Sequence, residues 1–560
     1  MKNLHKKIIL TGLCCCAGIC LTGCTKDTDI VKDNQEAIVT ENNMEELWRQ
    51  AKTTPYGKYP ETVFYTLGQM SGANNSNLPQ GDTYEDNAFT RYLREMLNVQ
   101  NEMVFLESED RYDEMLHVVV KDQNLPDVLV VSDRKILKEL VEDDMVEDLT
   151  EAYENCASVR IKEMYESYGG ELLEAGTFDG KLMAIPETVI DHGPCFMWLR
   201  KDWMDELGLE EPETLAEAFG IVEAFVENRM GTDEGEEPVG LVCDTALVGS
   251  TSSSYSVDPV FDNFSACPQR WVEKDGEIVY GSTTEETRRA LLYLHELYKR
   301  GIIDKNFALR APNNLRDLVV EGKCGAFFGL WWTPNNPLMD EYANDSESEW
   351  VPYYFENTET ATEYESFRDN KYVVVRKGYE HPEMVMKILN VLFDHTRYEA
   401  EDADEVNHYF SINVDPTARP LVINVDYNEA TYIITQHIRE ALDGKLDIGQ
   451  LSGIEKAYYD ACYNYLNQDD YTVEDWAAYK SRISAVGLLV DENYSPVNKK
   501  YLDDTDGDIP NSLQTLEKKA FIQIIMGEKT IEYFDEFVKE WYEMGGLELT
   551  EQIRKSNPIK

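Results

Sequence analysis

Glu321-Gly322-Lys323-Cys324-Gly325-Ala326-Phe327-Phe328-Gly329-Leu330-Trp331-Trp332-Thr333-Pro334-Asn335-Asn336-Pro337 opens on a Gly-Lys turn, continues as a short apolar run and ends on two tryptophans before a Pro/Asn loop. The run carries too many glycines for a helix and has the length of a buried strand. Paired aromatics at the carboxyl tip of a strand fill a core poorly. They suit the lining of a cleft, because open α/β sheets bind ligands at the carboxyl ends of their strands.

Working outward, strand and helix alternate on the amino-terminal side. Strands are expected over 63–67, 102–106 and 126–131. Helices are expected over 87–97, 111–120 and onward to Val141. Such alternation means βαβ units and a mostly parallel sheet. An Asp-Gly hairpin is expected over 178–186, a second series of strands and helices from Cys195, and a returning strand over 371–376. The last third reads as helical, most clearly over 427–442, 454–466, 513–526 and 531–542.

The chain has 560 residues, too many for one hydrophobic core. Its composition, 42% hydrophobic, is that of a globular protein rather than a multi-pass membrane protein. Net charge is −54, from 106 acidic and 52 basic residues. Nucleic acid and anionic lipid surfaces repel such a chain, since both are bound through Lys and Arg. Mainly, the charge supplies solubility.

Lys2, Lys6 and Lys7 precede an apolar segment, 8–21, too short to span a bilayer as a mature helix, and then Leu21-Thr22-Gly23-Cys24. This resembles the processing site of bacterial lipoproteins. Cleavage before Cys24 and acylation there would anchor the chain to the extracytoplasmic face of the cell membrane. Residues 25–43 are polar and aperiodic, as a tether is. Of 11 cysteines, Cys156, Cys195, Cys243, Cys267, Cys324 and Cys462 lie beyond Cys24. They have no zinc spacing, and nothing assigns a pairing.

Catalytic patterns fail in detail. His295-Glu296-Leu297-Tyr298-Lys299 lacks the second His of a zinc-protease helix. Gly176 to Leu182 has the wrong spacing for a phosphate-binding loop, and there is no G-x-S-x-G elbow. No carboxylate pair stands out for glycoside cleavage.

The order of pieces resembles the large lipoprotein-type, family 1 extracellular solute-binding proteins of bacterial ABC sugar importers. It does so through Thr83-Tyr84-Glu85-Asp86-Asn87, Leu125-Pro126-Asp127-Val128, Thr177 to Pro186, Trp198-Leu199-Arg200-Lys201-Asp202-Trp203, Trp331-Trp332, and Ile525-Met526-Gly527 with Phe534 to Val538. The resemblance implies an α/β, two-lobed periplasmic-binding-protein type II fold with a hinge and a helical C-terminal extension. The expected division is a signal peptide over 1–23, a tether over 24–57, lobe 1 over 58–188 with a returning segment about 356–400, lobe 2 over 189–350, and a mainly helical part over 401–560 packing on both lobes. It implies no chemistry and no cofactor. The expected product is a monomer that passes an oligosaccharide to membrane permease subunits. The family and the acidic balance point to a neutral sugar. A surface glycoside hydrolase or lyase, or a binder of another solute such as a peptide, remains the alternative.

Members of the family often carry an Asp-rich calcium loop. Here that position reads Asn228 to Pro238. Asp233 and Glu237 could be remnants, but Arg229 and Gly231 fall where carboxylates are needed, so loss of the site is expected. Asp504-Thr505-Asp506-Gly507-Asp508 reads as a solvated turn.

Sugars present C–H faces and hydroxyl edges, so the cleft calls for aromatic planes and polar side chains. Trp331 and Trp332 are the expected platform. Tyr84, Glu85 and Asn87 would close on it from the loop before the first helix, with helix capping by Asp86 as the alternative use of that loop. Asp191 and His192 lie at the expected first crossing between lobes. Trp198 faces either core or cleft, and Tyr255 and Trp271 flank a Ser/Asn-rich loop. Trp48, Trp203, Trp350, Trp476 and Trp541 are expected to be structural.

Overall fold

The structure is a computed structural model describing residues 41–559 except 73–77, 133, 170, 189, 191–192, 249–253, 356–362, 366–370, 400–402, 413, 492–498 and 502–508. The leader with Cys24, the first part of the tether, Asp191, His192 and the acidic turn at 504–508 lie outside the described residues.

Two sheets organise the chain from Glu46 onward. In the first, the spatial order is Val99–Ser108, Val63–Ser71, Val128–Val131, Tyr372–Val375, Ile185–Pro186. The first three strands are parallel, and Tyr372–Val375 runs antiparallel to both of its neighbours. In the second sheet, Phe196–Arg200 is flanked by Ala326–Gly329 and Trp350–Tyr353, both antiparallel to it. Parallel bridges then extend this sheet from Phe327 to Val242 and from Leu241 to Ile303.

Counted from the first strand of each half, the order is the same: second, first, third, an inserted antiparallel strand, fourth. The strand inserted in the first sheet comes from Tyr372–Val375, after the second sheet is complete. The one inserted in the second sheet, Phe196–Arg200, directly follows the first sheet's fourth strand. The chain therefore crosses between the sheets twice, once between Pro186 and Phe196 and once between Tyr353 and Tyr372.

Both sheets are buried on two faces, and their side chains alternate between them with the period of two that a strand imposes. Met197, Leu199, Ala326 and Phe328 enter one core, together with the helices Leu215–Glu227, Glu285–Arg300, Asn511–Ile525 and Tyr533–Trp541. Phe196, Trp198 and Phe327 enter the opposite core with Trp350 and Trp476. In the first sheet Val128, Val130, Val373 and Val375 face one core, while Leu129, Val131, Tyr372 and Val374 face the other.

Glycines in the opening stretch have packing reasons. A Cβ on Gly325 would lie 2.5 Å from the Trp203 ring and 2.7 Å from Phe225, and Gly322 turns with φ +65°.

The tether expected as far as residue 57 is shorter than that. Glu41–Thr53 is a helix. Trp48 stacks on His381 at 5.3 Å, and the buried Lys387 ammonium donates to the carbonyls of Ala51, Thr54 and Gly57 at 2.7, 3.0 and 2.5 Å. A cation on the last carbonyls of a helix satisfies groups that otherwise lack partners. The six described cysteines are free thiols, five of them buried.

Candidate functional site

Parallel strands deliver their carboxyl ends to one edge of each sheet. In the first sheet that edge holds Gln69 and, past Ile185–Pro186, Glu187. In the second it holds Trp331 and Trp332, just past Ala326–Gly329. Helices of the last third lie against these ends. Val473–Tyr479 and the wider turns of Lys480–Val486 pack on the Thr333–Asn335 turn that follows the tryptophans. Gly453–Asn467 packs on Asn390–Glu399 and Asp404–Ser411, which belong with the first sheet's core.

Trp331 and Trp332 meet edge to face at 5.6 Å, both half-buried. They do not form an open platform. The guanidinium carbon of Arg482 sits 4.4 Å from the Trp331 ring centroid and 4.1 Å from that of Tyr458, so the cation is held between two aromatic faces. Arg482 is 8% exposed. Among the described residues no carboxylate lies within ion-pair distance of it, and its guanidinium donates no hydrogen bond. The Trp331 indole N–H is buried and also lacks a partner.

A second buried arginine approaches from the first sheet. The Gln69 amide donates to the carbonyls of Thr417 and Arg419 at 2.8 and 2.9 Å, fixing the turn that carries Arg419. Arg419 is 6% exposed, lies 4.9 Å from the Phe393 ring and donates through Nε alone, to Pro416 O at 3.3 Å. Burial first, then the neighbouring Arg397, pulls its pKa down to about 9, leaving it charged at neutral pH. Asp415, Glu187 and Tyr458 act the other way. Both nearby carboxylates are engaged elsewhere. Asp415 accepts from the Thr417 N–H and hydroxyl, and Glu187 from the backbone N–H groups of Lys371 and Asn424 at 3.2 and 3.3 Å. Burial raises the Glu187 pKa.

Several expected site residues serve the fold instead. Asn87, fully buried, is the N-cap of Ala88–Leu97. Its Oδ1 accepts from the N–H groups of Phe89 and Thr90, and its Nδ2 donates to the carbonyls of Thr83 and Ala418, leaving nothing for a ligand. The cap is therefore Asn87 and not Asp86. Glu85 accepts from the Met103 N–H at 2.8 Å on the edge strand. Trp198 is fully buried and donates to Gly329 O at 3.3 Å. Tyr255 packs on Phe327 at 5.5 Å, its backbone bonded to Phe328 O. Trp271 packs on Tyr280 at 5.2 Å in a hairpin. Asn87, Trp198, Tyr255 and Trp271 are buried, so the core takes most of the surface each would offer a ligand. Tyr84 is buried in the loop before the first helix.

In the loop at 228–238, Lys323 brings its ammonium within 3.4 Å of Glu236 and 3.7 Å of Asp233, and Arg229 donates to Glu236 O. Two cations among so few carboxylates do not fit a calcium ion, which needs six or more oxygens. Glu237 is exposed there.

Arg482, Tyr458 and Arg419 were not singled out from the sequence. Arg482 did carry a signal, an arginine on an apolar helical face with Ala478, Ala485, Val486 and Leu489 around it. Arg419 lies in a loop whose burial depends on Gln69, far away in sequence, and left none. A cavity of about 460 Å³ also opens at the edge strand Trp350–Tyr353, lined by Glu211, Glu213, Tyr354, Phe355, Ser484 and Leu488 among others. Neither the tryptophans nor the two arginines line it, and the geometry above rests on the strand ends instead.

The fold is that of the two-lobed periplasmic solute-binding proteins. It is similar to an extracellular solute-binding protein from Bifidobacterium longum subsp. infantis (TM-score 0.58, 14% identity, 88% of this chain and 97% of that one) and to the alginate-binding protein AlgQ2 solved without calcium ion (TM-score 0.53, 13% identity, 89% and 98%). In sequence it is similar to the polygalacturonan/rhamnogalacturonan-binding protein YtcQ of Bacillus subtilis strain 168 (27% identity over 155 residues) and to the fructooligosaccharide ABC transporter substrate-binding protein FusA of Streptococcus pneumoniae serotype 4 (23% over 140). Those alignments cover 27% and 25% of this chain and only 29% and 25% of the two relatives. No protein-family model matches the chain.

Proposed function

We propose that this chain is the substrate-binding component of an ABC importer, holding an oligosaccharide between its two halves and doing no chemistry on it. The observation that carries the reading is the pair of sheets with one strand order, each completed by a strand that belongs by sequence outside its own half, with Trp331 just past a strand end and packed with Tyr458 on Arg482. A carbohydrate is favoured over other solutes because aromatic rings at strand ends suit sugar C–H faces. The glycans in the names of the two sequence relatives support that choice. Acylation at Cys24 would hold the protein on the extracytoplasmic face of the membrane, and permease subunits would be its partners there.

Isothermal titration against a panel of oligosaccharides and peptides tests the reading. The expected result is saturable binding of a glycan, recovered intact afterwards, with affinity lost in Trp331→Ala. A glycan returned in shortened form would favour a surface hydrolase or lyase. Selective binding of a peptide would replace the ligand class. Acylation is checked separately, by detergent partition of the wild type against Cys24→Ala.

A further inference from the structure

We infer that the ligand carries a carboxylate, as an oligosaccharide of uronic acid units does, and that Arg482 receives it. This rests on the reading of the chain as an oligosaccharide-binding protein and narrows the substrate class of the same site.

Charge is the starting observation. A chain with 106 acidic residues offers an anion to nearly every cation it folds around. Two of its other buried arginines take that offer. Arg200 is paired with Asp202 and Glu341, and Arg397 with Asp426. Arg482 is buried to the same degree, yet among the described residues it has neither a carboxylate nor a hydrogen-bond acceptor. An ion taken out of water without a partner is costly, and the cost falls when an anion arrives.

Geometry says how the anion approaches. A guanidinium is planar, with its donors in the plane. The Trp331 and Tyr458 rings lie 4.4 and 4.1 Å from its carbon, and its in-plane N–H donors are left without an acceptor among the described residues. A carboxylate can accept two parallel N–H bonds from such a free fork. The indole N–H of Trp331, whose ring contacts the same guanidinium, is likewise buried without a partner. Arg419, whose terminal nitrogens make no described hydrogen bond, adds positive field, and Tyr458 is a neighbour of both arginines. A neutral sugar would leave these charges uncompensated. The net charge of −54 acts at long range and is screened within about 8 Å at physiological salt. The buried cation is not screened in this way, so it decides the ligand's sign.

The test uses the full chain and three probes: trigalacturonate, its methyl ester and triglutamate. Titration should show trigalacturonate binding about 30-fold or more tighter than the ester, at low and at physiological salt alike. Arg482→Gln should remove that preference, and Arg482→Lys should restore only part of it because an ammonium lacks the fork. Should the variants not fold, the ester comparison on the wild type decides alone. Equal binding of acid and ester, or of neutral oligosaccharides only, overturns the carboxylate and leaves the binding-protein reading standing. Tighter binding of triglutamate than of trigalacturonate overturns the sugar. No binding of any saccharide overturns both readings.

Discussion

Glu517 sits in the core of the second half with its carboxyl donated to by the Tyr280 hydroxyl at 2.9 Å. Burial raises its pKa from the ordinary 4.5 to about 7, against the pull of its hydrogen bonds. The unfolded chain gives up this proton first as pH rises. The stability it contributes is therefore complete below about 4.5 and is lost as pH passes through about 7. Unfolding free energies from denaturant titration at pH 5.5 and 8 should differ more in the wild type than in Glu517→Gln, by on the order of 2 kcal/mol, with the wild type relatively weaker at pH 8. A flat difference between the two proteins would rule this out. At the same scale, the position of Trp331 just past a strand end was legible because aromatics after a short apolar run stand out locally. Arg419 was not, since its environment is made by Gln69 and Phe393 from other parts of the chain.

At the scale of elements, Asn87 and Lys387 each terminate a helix, and both assignments can be measured. Asn87→Ala removes the N-cap of Ala88–Leu97 and should cost about 2 kcal/mol of stability in thermal or urea unfolding, while glycan affinity of the folded protein stays unchanged. A loss of affinity without loss of stability would return Asn87 to the ligand set. Lys387→Met strips three acceptors at the end of Glu41–Thr53 and should destabilise by about 3 kcal/mol, visible as a lower midpoint and faster proteolysis near Thr53. Element positions were largely readable. The helices expected over 87–97 and 454–466, marked by their periodicity, are found at Ala88–Leu97 and Gly453–Asn467. The helix at Glu41–Thr53 escaped notice because its mean hydropathy is low and its anchors, His381 and Lys387, lie more than three hundred residues away. The antiparallel sense of Phe196–Arg200 was likewise invisible, since an apolar run looks the same in either direction.

For the whole molecule, the proposed function requires that the halves close on ligand, as hinge proteins of this fold class do. Small-angle scattering with trigalacturonate should show a smaller radius of gyration than without it. The same titration of Trp331→Ala should show none of that contraction. An unchanged particle under saturating glycan would count against closure.

The reciprocal strand insertion also has a consequence for how the chain can be made. Tyr372 pairs with Val131 and Pro186. Until the ribosome reaches Tyr372, the first sheet has a gap where its inserted strand belongs. At about 5–20 residues per second the roughly 240 residues in between take some 12–50 s. During that interval the amino-terminal third cannot complete its sheet, so it stays unfinished long enough to be handed on as an extended chain. A polypeptide ended before residue 356 should accordingly remain protease-sensitive in its first half, and restoring the segment through residue 399 should protect it.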